Sequence, residues 1–155
     1  MTLQSYEEAL LSCDSKSSES VFQKIADSYE DDLLEFDGFP SDYFDFALKL
    51  LSDDRFYVKA GVWNFLLVLG TESHKLTEQH YRKLSDCIIA NYKNYDDEDL
   101  CLAVCDFIAR NYSLSRASSV FNLLDEIEDK KPADMKGFVE DGRRIMLAEE
   151  KRRTE

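Results

Sequence analysis

Two prolines and five glycines in 155 residues are too few for an all-β protein, which needs a turn signal about every 8–12 residues. A helical fold needs fewer. No stretch approaches the roughly eighteen apolar residues of a membrane span, and no charged-then-apolar leader follows Met1. The four cysteines, Cys13, Cys87, Cys101 and Cys105, form no disulfide-rich pattern, which predicts reduced thiols in a cytoplasmic chain. Only two histidines occur, His74 and His80. They lie six apart, not at the i, i+4 spacing that sets two ligands on one helical face, and neither Glu72 nor Glu78 completes an HExxH. No glycine-rich phosphate loop is present, and the acids around Asp97 and Asp99 lack the glycine and glutamate of an EF-hand. Cys101 and Cys105 are one helical turn apart and Cys87 could approach them, a set that could hold zinc. Both, however, flank an apolar stripe, where cysteine serves as a small core residue. The expectation is no catalytic residue, no metal and no cofactor.

Basic residues are scarce where acidic ones are dense. The chain carries a net charge of −13. Residues 1–54 hold 14 Asp and Glu against only Lys16, Lys24 and Lys49, a net of −11, and the remainder is near neutral at −2. Such a one-sided field repels nucleic acid and anionic membranes and speeds encounter with a basic protein.

What is present is helical periodicity. With 44% hydrophobic residues and 19 aromatics, the chain has the makings of one all-α domain spanning 1–155, burying about two-thirds of its unfolded surface. Residues 1–39 read as acidic N-terminal helices and a loop. The first helix turns Leu3, Tyr6, Leu10 and Cys13 inward; a second, from about Ser18, carries Val21, Phe22, Ile25 and Tyr29 on one side. Glu30 to Phe39 alternates acids with large apolar groups and reads as a short helix or an ordered loop ending at Gly38. Residues 40–70 predict two helices about an acidic turn. Phe44, Ala47, Leu48 and Leu51 stripe the first. Val58, Val62, Phe65, Leu66 and Leu69 stripe the second, from about Asp54 to Leu69 and closed by Gly70. Further helices are expected over 77–92 (Tyr81, Leu84, Ile88, Ile89), 96–111, from Ser113 or Ser115 to Ile127, and from 134 to the C-terminal cations.

Setting Asp54 against Asp97 exposes an internal repeat of 43 residues. Ser52-Asp53-Asp54 faces Tyr95-Asp96-Asp97, Val58 faces Cys101, Ala60 faces Ala103 and Phe65 faces Ile108, with a third unit over about 114–150 broken at Lys130-Lys131-Pro132. A period near 40–47 with two helices per unit is that of HEAT-like solenoids. Asp54-Arg55-Phe56-Tyr57-Val58-Lys59-Ala60 resembles the D-x-x-x-V-[RK]-x pattern that opens the second helix of a HEAT repeat, although Leu102 replaces the basic residue in the second unit. The resemblance implies stacked antiparallel helical pairs over 40–150 in a right-handed HEAT- or ARM-like solenoid of about seven or eight helices; an irregular helical bundle is the alternative.

Small size, acidic surface and lack of chemistry together resemble, in type rather than by motif, the immunity proteins of bacterial contact-dependent and polymorphic toxin systems. That resemblance implies a non-enzymatic inhibitor occluding the active site of a basic toxin domain, often a nuclease. The candidate partner-binding residues are Glu30, Asp31, Asp32, Glu35, Asp37, Asp42, Asp45, Asp53 and Asp54. Asp96, Asp97 and Asp99 follow them, because acids in a first helical turn also complement the helix dipole. Trp63 reads as core packing, or as an exposed anchor on the concave side of a solenoid. A scaffold gripping a peptide or subunit is the competing reading and predicts weaker salt dependence. A DNA mimic is a third, disfavoured because the acids cluster instead of running along a face.

Overall fold

The computed structural model describes residues 2–57, 61–91 and 94, together with 140, 143, 144, 147, 148, 151 and 152. Every regular element among them is helical: α1 (Leu3–Ser12), α2 (Ser18–Leu34), α3 (Ser41–Ser52), α4 (Asp54–Tyr57), α5 (Trp63–Thr71), a 3₁₀ turn (Ser73–Lys75) and α6 (Glu78–Asn91). The protein is all-α. The repeat units beyond residue 94, and with them Asp96, Asp97, Asp99, Cys101 and Cys105, lie outside the described residues.

Local chemistry sets the helix starts. Thr2 and Ser5 form a reciprocal capping box at α1, Ser5 N–H donating to Thr2 Oγ1 at 3.2 Å and Thr2 N–H to Ser5 Oγ at 3.0 Å. Asp14 accepts from both the N–H and the hydroxyl of Ser17, each at 2.8 Å, just ahead of α2. Asp53 accepts the Arg55 N–H at 3.0 Å at the head of α4. Helix α2 runs on through Glu30, Asp31 and Asp32 to Leu34, so the first half of this stretch belongs to α2 instead of forming a separate helix, while Glu35 to Phe39 is the loop into α3. Leu33 is one further i+4 step from Tyr29 and is fully buried.

The single helix expected over 54–69 is two. Gly61 interrupts it with φ of +125°, a conformation that L side chains rarely adopt. Gly70 lies inside α5 instead of closing it, the helix running on to Thr71. In α3 the buried set is Phe44, Phe46, Ala47, Leu50 and Leu51, with Leu48 only half-buried. The stripe is wider than one face because α3 packs on two sides.

Those sides define two layers. Tyr6 of α1 meets Phe46 of α3 (centroids 6.5 Å apart) and Glu7 pairs with Lys49 at 2.6 Å. Phe44 lies 4.5 Å from the His80 ring, and the Cys87 thiol donates to the Leu48 carbonyl at 3.6 Å. Helices α1, α3 and α6 therefore lie side by side, pointing the same way. In the other layer α5 runs along α2, Phe65 packing between Phe22 (6.3 Å) and Tyr29 (5.6 Å). Tyr29 joins the layers: fully buried, it touches Tyr43, Phe46 and Phe65, and its hydroxyl donates to the Tyr43 carbonyl at 2.6 Å. Burial of each such aromatic or leucine contributes about 1.5–3 kcal/mol.

Gly61 sits where α5 starts its run along α2. A Cβ there would lie 2.6 Å from Phe22 Cβ. Gly61→Ala combines strained backbone with overpacking and is expected to destabilise the fold by about 2–4 kcal/mol, read as a lower urea midpoint at unchanged slope.

Candidate partner-binding surface

The dense acids occupy the C-terminal end of α2, the turn to α3 and the first turns of α3 and α4. Asp31, Glu35, Asp37, Asp42, Asp45 and Asp54 are exposed and Glu30 is half-buried. None of these seven has a cation within 4 Å among the described residues. The Trp63 side chain lies outside the described set.

The structure gives two of the candidates other tasks. Asp32 Oδ2 accepts the hydroxyl of Tyr6 from α1 at 2.5 Å and that of Tyr43 from α3 at 2.9 Å, so one carboxylate joins three helices. Burial first, then Asp32, raises both phenols, Tyr43 to about 12 and Tyr6 beyond it. Asp53 grips Arg55, receiving its Nε at 2.9 Å and its Nη2 at 2.5 Å, and the hydrogen-bonded guanidinium holds the Asp53 carboxyl below the usual range. Asp42 and Asp54 stand in first helical turns, where the dipole favours a negative charge. Asp45 stands one turn further into α3.

Glu30, Asp31, Glu35 and Asp37 have no such reason to be where they are. They crowd the negative end of α2, whose last turn carries no basic residue. Asp27, Asp31 and Glu35 also follow one another at i, i+4 on its outer face. Each like-charge pair costs about 0.2–0.5 kcal/mol and each acid beside the helix C-terminus about 0.3–1 kcal/mol.

The compensating cation comes from the far side of α5. The Lys75 ammonium donates to the carbonyls of Leu33 and, at 2.9 Å, Phe36, closing the end of α2. It lies 3.5 Å from Glu72 Oε2, and both side chains are buried (9% and 5% exposed). Charge-assisted hydrogen bonds of about 1.5–3 kcal/mol each are of the size needed to offset this repulsion. Nothing in the sequence marks this contact, which spans 42 residues.

Elsewhere, among the described residues, no three His, Cys, Asp or Glu side chains form a metal-sized group. An open groove of about 650 Å³ along α6 is lined by Thr77, Glu78, Gln79, Arg82, Lys83 and Asp86, with Arg82 paired to Glu78 at 3.2 Å. No described helix is long and apolar enough to cross a membrane. Cys13 and Cys87 are thiols; burial pushes Cys87 up. His80 caps α6: its Nδ1 accepts the Thr77 N–H at 3.0 Å, and Thr77 Oγ1 accepts the His80 N–H at 3.3 Å. The neutral ring therefore carries its proton on Nε2. Burial, then Lys83, lowers its pKa.

Two outcomes are expected. Asp32→Ala leaves two tyrosine hydroxyls without their acceptor and should lose about 2–4 kcal/mol in urea unfolding, whereas Asp31→Ala, one residue away and exposed, should stay within about 0.5 kcal/mol. For His80, the folded state resists a proton that the unfolded chain takes up near pH 6.5. Its contribution is complete above that pH and declines below it. His80→Gln keeps the reciprocal cap and should flatten the fall in urea midpoint between pH 7 and 5.5; an equal fall would assign the slope to other groups.

Comparison with protein families, with curated proteins and with solved structures finds no match to this chain, so the role of this surface rests on its own residues.

Proposed function

We propose that this chain is a non-enzymatic, cytoplasmic binding protein that uses the acidic end of α2 to dock on a basic protein. In the immunity-protein form of this reading, the partner is a toxin domain, often a nuclease, whose active site is occluded. One observation carries it: four carboxylates without an ion pair among the described residues stand at the helix end where they oppose folding, while a buried lysine from 42 residues away holds that end together. Charges that disfavour the fold have their use in recognition. A nuclease must attract phosphate, and an acidic surface enters the same field with a fast on-rate. The two-layer alternation of helices among the described residues supports the stacked antiparallel pairs of a HEAT-like solenoid.

The scaffold reading has its own support in Leu67, an exposed apolar side chain on the outside of α5. Salt separates the two. Affinity capture at low salt, repeated at about 0.5 M where the screening length is roughly 4 Å, should release a partner held by the acids and retain one held by apolar contact.

With the captured partner, Asp31→Lys/Glu35→Lys/Asp37→Lys is expected to slow association at least tenfold. Thermal stability should stay constant or rise slightly, because cations suit a helix C-terminus. An unchanged on-rate would remove this edge from the interface. Asp32 is left intact in this variant because its loss would confound binding with folding.

A further inference from the structure

Leu34 and Phe36 are 64% and 41% exposed, two large apolar side chains within three residues, flanked by Asp31, Glu35 and Asp37. Single exposed apolar residues are ordinary on any surface. These two differ in how firmly they are held. The Lys75 ammonium grips the carbonyls of Leu33 and Phe36, and the Phe36 N–H donates to the Leu33 carbonyl at 3.2 Å. The Phe36 ring lies 5.5 Å from the Tyr43 ring, whose hydroxyl is fixed on Asp32. The backbone of this stretch and the Phe36 ring are held before any partner arrives, so docking on them loses little conformational freedom.

We infer that Leu34 and Phe36 form the apolar centre of the acidic docking surface, and that its occupant is a cationic amphipathic helix of a partner protein. An apolar stripe would seat on Leu34 and Phe36, with Lys or Arg on either side meeting Asp31, Glu35 and Asp37. The inference rests on the acidic-edge reading above. Charge selects the occupant: a second copy of this chain would bring another −13 onto a like-charged surface, and an anionic lipid or nucleic acid is repelled in the same way. Arginine fits best, because a guanidinium can stack on the Phe36 ring while bonding the adjacent carboxylates. An apolar centre with a polar rim is the ordinary anatomy of a protein–protein interface.

Two synthetic helical peptides of identical positive charge test this on the full chain by calorimetry: one with a leucine stripe flanked by arginines, the other with serines in place of the leucines. The striped peptide should bind roughly tenfold tighter. Leu34→Ser/Phe36→Ser should erase that advantage and leave the serine peptide's affinity unchanged; if this variant does not fold, Leu34→Ser alone should remove part of it. Asp31→Asn/Glu35→Gln/Asp37→Asn should weaken both peptides. Equal binding of the two peptides, indifferent to Leu34 and Phe36 but lost with the carboxylates, overturns the apolar centre and leaves the acidic edge standing. Binding of neither peptide at low salt overturns both readings. A striped peptide that binds undiminished at 0.5 M salt and to the carboxylate variant overturns the cationic occupant.

Discussion

A buried ammonium at the end of an acidic helix holds this structure's most charged region together. Lys75 reaches from the 3₁₀ turn after α5 to the last carbonyls of α2, with Glu72 beside it as counter-charge. A buried ion pair left to itself is a weak source of stability, because desolvation consumes much of the attraction. Here the cation also bonds two backbone carbonyls where the chain leaves α2, that of Phe36 and that of Leu33, which it shares with the Phe36 N–H. That contact joins the exit of α5 to the exit of α2, and it fixes the path by which the chain turns into α3. The acids of 30–37 can gather there because a positive charge is already built in beneath them.

Asp32 shows the other use of the same residue type. It lies between Asp31 and the exposed Leu34, yet its carboxylate faces inward to two tyrosines from neighbouring helices. Adjacent acids in one helical turn thus divide into a structural bolt and a free surface charge, purely by the direction in which the helix aims them.

The all-α class was legible in the sequence, as were the buried stripes Tyr6–Leu10, Phe22–Ile25–Tyr29, Phe44–Ala47–Leu51 and Tyr81–Leu84–Ile88, because three- and four-residue spacing is a local signal. The extent of α2 was legible too, in the step from Tyr29 to Leu33, but a run of acids looks like a turn when composition outweighs period. The break at Gly61 was not: a glycine within an apolar stripe is compatible with a continuous helix, and the need for one comes from Phe22, 39 positions earlier, pressing on its backbone. Within the candidate site, sequence marked the right region and could not sort it. Asp31 and Asp32 are alike until Tyr6 and Tyr43 are known to face the second, and Lys75 is anonymous until the fold brings it to Leu33.

The neighbour order of the helices has a kinetic consequence. Side-by-side packing of α1 on α2 and the short path from α3 into α4 bring together residues close in the chain, so little loop entropy opposes them. The contact of Lys75 with Leu33 instead closes 42 residues at once. It can form only after α2, α3 and α5 have found their layers, which makes it a late event in assembly. The acidic edge is therefore the part of this region whose order reports on the whole, and amide exchange at Leu33–Phe36 follows the docking of a turn far along the chain.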